Sequence, residues 1–150
     1  NSVAAAGGSQ ALWDAGTADG TYRATIRAIG NGNGCAILRT KPPTSPATTL
    51  QDYLRLNLLT SGTAGRMQLQ SRIAGGSVTA IATASVGDAL VDGDVVEVVL
   101  AGTSITVKRN GATVLTGTDP DASTDRTYSG VQGTVTGNGL RWERQELQAV

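Results

Sequence analysis

The chain has no histidine and one cysteine among its 150 residues. Without histidine it lacks the side chain used most often as a general base near neutral pH and as a metal ligand. Ser-His-Asp and Cys-His catalytic arrangements therefore cannot be assembled within it. A lone cysteine excludes an internal disulfide and a cysteine-rich zinc site. Cys35 follows Gly34 and opens an apolar run, which points to a buried free thiol. An excess of charge is also missing: 12 Lys+Arg stand against 12 Asp+Glu, with a pI near 6.4. The basic footprint of a nucleic-acid binder is absent. No apolar run reaches the roughly 18 residues of a membrane-spanning helix. The first residue is Asn1, and no basic-then-apolar leader follows, so a processed product or a domain cut from a longer polypeptide is expected.

What is present is small and β-favouring. Twenty glycines punctuate stretches rich in valine, threonine and alanine. Residues 1–10, NSVAAAGGSQ, read as a flexible N-terminal arm or linker. From Gly20 the pattern has period two, with Tyr22, Ala24 and Ile26 on one side and Arg23, Thr25 and Arg27 on the other. GNGNG at 30–34 interrupts it and CAILRT at 35–40 resumes it. Three prolines between Pro42 and Pro46 exclude a central strand there.

In DYLRLNLL, Leu54, Leu56 and Leu58 oppose Tyr53, Arg55 and Asn57. In the next run Met67, Leu69 and Ile73 oppose Arg66, Gln68, Gln70 and Arg72. Gly75-Gly76, Asp92-Gly93, Ala101-Gly102 and Asn110-Gly111 mark turns. The count is about ten short strands at the spacing of all-β sandwiches and barrels. A turn or two of helix in the C-terminal WERQELQAV is the sole helical rival.

Lys108-Arg109-Asn110-Gly111 looks like a basic finger, but alternation sends Lys108 and Arg109 to opposite sides of a strand. Asn-Gly between two apolar runs is a hairpin signal, and Arg109 is expected at the rim of the core. GNGNG lacks the spacing and the following helix of a dinucleotide-binding loop, so it too reads as a hairpin. Asp119, Asp121 and Asp125 share one loop and are weak candidates for calcium, against the alternative of a solvated turn. Asp92 and Asp94 bracket a turn glycine, and Glu143 and Glu146 share a face only in a helix; no pair resembles the facing acids of a glycosidase. The aromatics are Trp13, Tyr22, Tyr53, Tyr128 and Trp142, and the two tryptophans are placed to pair in adjacent terminal strands. The best local candidate for a glycan- or partner-binding surface is Tyr53, Arg55 and Asn57, extended by Gln68, Gln70 and Arg72; the alternative is an ordinary solvated sheet face.

DYLRLNLL, GRMQLQSRIAGGSVTAIATA, DGDVVEVVLAGTSITVKRNGATVLTGTD and SGVQGTV, in that order, resemble the concanavalin A-like, laminin-G-like jelly-roll domains. The likeness spans roughly residues 20–147 and is strongest to domains in minor tail and tail-fibre proteins of actinobacterial phages. It implies an all-β, two-sheet antiparallel sandwich over residues 11–150. It also implies a virion setting, on the tail before the capsid surface, with extracellular placement otherwise. The acidic signature of the laminarinase-like branch and the histidine of the legume-lectin metal site are both missing here. The function expected is a non-catalytic structural domain without cofactor, serving virion assembly, host-surface glycan binding or both. Its expected partners are other virion chains, a homo-oligomer among them, and a host glycan; neither nucleic acid nor membrane insertion is expected. The alternatives are a secreted bacterial carbohydrate-binding module, a capsid decoration protein and, last, a glycoside hydrolase of the same fold.

Overall fold

The computed structural model describes residues 10–27, 33–41, 50–59, 66–85, 90–133 and 141–148. Residues 1–9 of the arm expected over 1–10, the opening of GNGNG, the proline-rich stretch 42–49 and the Gly137-Asn138-Gly139 turn lie outside the described residues, while Gln10 opens the first strand.

Among the described residues eleven strands form: β1 (Gln10–Asp14), β2 (Gly20–Arg27), β3 (Asn33–Thr40), β4 (Tyr53–Leu59), β5 (Arg66–Arg72), β6 (Thr79–Ser85), β7 (Val95–Ala101), β8 (Ser104–Arg109), β9 (Ala112–Thr118), β10 (Tyr128–Gly133) and β11 (Arg141–Gln148). They assemble into a six-stranded sheet, β1-β10-β3-β4-β5-β6, and a five-stranded sheet, β11-β2-β7-β8-β9. All pairings are antiparallel. The C-terminal run is a strand, so the helical alternative for it does not hold.

Period-two patterning explains the layering, because each strand has one apolar side that must meet another. Leu54, Leu56 and Leu58 of β4 and Met67 and Leu69 of β5 face Tyr22, Ala24 and Ile26 of β2, Val96, Val98 and Leu100 of β7, and Ile105 and Val107 of β8 in one buried core. With no phenylalanine, this core is aliphatic apart from fully buried Tyr22, whose phenol is pushed above its ordinary pKa by burial. Gly117 of β9 lets the sheets close at one edge: a Cβ there would meet Leu69 Cδ1 at 3.0 Å and Ile81 Cγ2 at 3.1 Å.

Three expectations need correction. Ile73 does not belong to the buried side of its run; β5 ends at Arg72, Ser71 takes the inward position, and Ile73 stands 41% exposed in the turn. That turn centres on Ala74 and Gly75, both at positive φ and closed by the Gly76 N–H on the Ile73 carbonyl at 2.9 Å, one residue earlier than the glycine pair suggested. Trp13 and Trp142 do not share neighbouring strands, since β1 is in the six-stranded sheet and β11 in the other.

The Asn110-Gly111 reading holds. Both residues have positive φ, 50° and 85°, and Arg109 is opposite Ala112. Lys108 turns outward to Glu97 at 2.9 Å, while Arg109 pairs with buried Asp94 at 2.6 Å. Burial works to raise the pKa of Asp94; hydrogen bonds from the Val91 N–H, Asn110 and Arg109 outweigh it and hold the carboxyl below the usual range.

Candidate functional site

The outer face of the six-stranded sheet follows from its register. Across β3, β4, β5 and β6 one row reads Cys35, Asn57, Gln68 and Thr83, and the next reads Ile37, Arg55, Gln70 and Ala80. Tyr53 and Arg72 are partners at the edge of this area. The structure thus brings Tyr53, Arg55, Asn57, Gln68, Gln70 and Arg72 onto one surface, but gives them different tasks.

Tyr53 is not an open stacking platform. It is 5% exposed, in a satellite cluster with Leu12, Ile37 and Leu50, against which Tyr128 packs. The Arg55 guanidinium lies over its ring, 5.1 Å from the centroid, in a cation–π contact. Sequence alternation placed Tyr53 on the polar side correctly, but alternation carries no information on the strands and loops that roof an outer face. Arg72 is a staple: Nε donates to the Gly76 carbonyl at 2.8 Å, Nη1 to Leu50 at 3.1 Å and Nη2 to Gly75 at 3.0 Å. It fixes the β5–β6 turn against the chain entering β4.

The other side chains form a polar ladder. Arg55 Nε donates to Gln70 Oε1 at 2.8 Å, Gln70 Nε2 to Gln68 Oε1 at 2.5 Å, and Gln68 Nε2 to Thr83 Oγ1 at 3.0 Å. Thr83 was absent from the sequence candidates; its opposition to Gln68 across β5–β6 appears only with the register. Asn57 accepts a weak hydrogen bond from the Cys35 thiol at 3.8 Å. Burial pushes that thiol's pKa up, offset in part by the positive charge of Arg55, so Cys35 is a protonated structural donor. Each amide in the ladder is locked by its neighbour, which fixes donors and acceptors at set positions along β4–β6. A surface of this kind suits a ligand with many hydroxyl groups, because each hydroxyl both donates and accepts.

The acidic loop serves another purpose. Asp119 points inward, fully buried, and takes Arg39 Nη1 at 2.9 Å and Arg126 Nη1 at 3.3 Å. Asp121 receives the Ser123 hydroxyl, and Asp125 pairs with Lys41 at 3.3 Å. These carboxylates are directed to different partners rather than to one point, and among the described residues no three acidic or cysteine side chains gather in a metal-binding group. A bulge at Leu38 accounts for the placement of Arg39: it sets Arg39 opposite inward-facing Leu54 rather than on the side of Ile37. There Arg39 also reaches the Ala18 carbonyl and Asp19, each at 2.7 Å.

No family model matches the chain, and no curated protein matches it in sequence. Solved structures do match in shape. A carbohydrate-binding module from Bacillus subtilis superposes with a TM-score of 0.60 at 14% identity, over 96% of this chain and 80% of that one. Galectin LEC-6 of Caenorhabditis elegans gives 0.63 at 12% identity, over 94% and 90%. A tetrameric galectin from the ball sponge Cinachyrella gives 0.64 at 13%, over 92% and 98%. The fold is a concanavalin A-like jelly roll. In this jelly roll the ladder occupies the outer face of one sheet, and the phage tail domains that the sequence resembles are not among these structural neighbours.

Proposed function

We propose that this jelly roll is a non-catalytic carbohydrate-binding domain and that the outer face of β4–β6 receives the glycan. One observation carries the reading: Arg55, Gln70, Gln68 and Thr83 are hydrogen-bonded in series on an outer sheet face. Groups already held in place lose little freedom on binding, which favours recognition of a flexible sugar chain. The carbohydrate-binding module and the galectins that share the fold support it. Catalysis is left out of the proposal because β3, β4, β5 and β6 carry no carboxylate to act as acid or base on that face.

Of the settings weighed from sequence, the similar structures favour a carbohydrate-binding module over a virion structural domain; the virion setting rests on the sequence resemblance. Oligomerisation belongs to the proposal too, with the tetrameric sponge galectin as a precedent for the fold. A screen of immobilised glycans tests the reading. Binding to at least one glycan is expected, weakened about tenfold or more by Gln70→Ala, which breaks the ladder at its centre. A uniformly silent screen with the folded protein would remove this function.

A further inference from the structure

Charge is distributed unevenly over this neutral molecule. The strands β3, β4, β5 and β6 contain no aspartate or glutamate, yet they carry Arg39, Arg55, Arg66 and Arg72. Arg39 is neutralised inside the sandwich by Asp119 and Asp19. The other three alternate with Leu54, Leu56, Met67 and Leu69, which point into the core, and so lie on the outer side. On the opposite sheet Lys108 meets Glu97 and Arg109 meets Asp94. Among the described residues, no carboxylate lies within salt-bridge distance of Arg55, Arg66 or Arg72.

Arg55 is the one placed for a ligand. It is half-buried at the β4 end of the ladder, held from below by the Tyr53 ring and from the side by Gln70. Its Nε is committed to Gln70, while the described residues offer no acceptor to Nη1 or Nη2. A fixed guanidinium with its two terminal nitrogens available matches the fork of a carboxylate or sulfate. A neutral hydroxyl satisfies hydrogen bonds there but leaves the charge unmatched.

We infer that the ligand of this face is an acidic glycan, bearing carboxylate or sulfate groups, and that Arg55 is the residue that contacts the anionic group. The inference rests on the proposed glycan-binding role of β4–β6 and adds the charge of the ligand. Arg66, exposed on the adjoining strand, extends the positive surface to a further acidic unit of the chain.

Two matched pairs of polysaccharides test this by calorimetry at low ionic strength: polygalacturonate against its methyl ester, and dextran sulfate against dextran. The acidic member of at least one pair is expected to bind about tenfold or more tightly than its neutral partner, the size of one charge-assisted contact. Which pair discriminates tells carboxylate from sulfate. Arg55→Gln should bring the two members of that pair to similar affinity with the melting curve retained, whereas Lys108→Gln on the opposite sheet should leave the preference intact. Equal affinity for acidic and neutral members overturns the inference while leaving glycan binding in place. Equal loss from Lys108→Gln also overturns it, since attraction would then be diffuse. Binding to neither pair, with a silent glycan screen, removes the glycan-binding role as well.

Discussion

At the scale of the residue, neighbouring charges along the chain have separate fates. Lys108 and Arg109 look like one basic motif, but each closes its own ion pair on its own side of β8. The glycine that follows them is there for its backbone. At Gly111 φ is 85° and no atom lies within 4 Å of a built Cβ, so a side chain meets no clash and is opposed by conformation alone. Gly111→Val is therefore expected to lower stability by about 1–3 kcal/mol, a β-branched residue in the left-handed region being the costly case. Denaturant melts give the loss, and the outer face of the other sheet should retain its ligand.

Asp94 makes the second residue-scale prediction. Its folded-state pKa is depressed below the ordinary value of about 3.9, so the unfolded chain binds the proton more readily. Its contribution to stability is complete above the ordinary carboxylate range and is lost as the pH falls through about 4 towards the folded value. In parallel acid titrations, the stability advantage of the wild type over Asp94→Asn should be constant near neutrality and shrink under acid. A constant difference throughout would refute this assignment.

Among the elements, β3 does the most to organise one end of the sandwich. Its bulge frees the Leu38 carbonyl, which receives the Ser129 hydroxyl at 2.8 Å, and turns Arg39 inward. Arg39 then holds the β1–β2 connection through Ala18 and Asp19, and the segment after β9 through Asp119. Removing Asp119 leaves Arg39 and Arg126 buried with less compensation, and breaking a buried pair on one side costs about 3–5 kcal/mol. Asp119→Ala is expected to lose stability in that range by chemical denaturation, and added calcium should leave the stability of the wild type unchanged. Stabilisation of the wild type by calcium would return the acidic loop to the role of a metal site.

The same elements show what a sequence reveals. The strands β2, β4, β5, β7 and β8 were legible because burial on one side imprints period two. Ile73 was misplaced because the pattern continued past the strand's end, and only the Ala74-Gly75 turn terminates it. The six candidate residues of the outer face were legible as one surface, since β4 and β5 are neighbours in sequence. Their division of labour was not. That Tyr53 is roofed, Arg72 is a staple and Thr83 ends the ladder depends on contacts with β1, β10, the segment before β4, and β6. The inward turn of Asp119 was hidden for the same reason, because its partner Arg39 is 80 positions away.

For the whole molecule, the two sheets divide the work. The five-stranded sheet pairs Lys108 with Glu97 and Arg109 with Asp94, whereas β4 and β5 of the six-stranded sheet present ordered amides and arginines that meet no carboxylate among the described residues. A neutral total charge conceals this asymmetry. The outer face of β4–β6 is the surface proposed to meet a glycan. Amide chemical shifts recorded during titration with a bound polysaccharide test it most directly. Perturbations are expected to concentrate at Arg55, Asn57, Gln68, Gln70 and Thr83. Saturable shifts confined to β2, β7, β8 and β9, with β4–β6 unmoved, would contradict it.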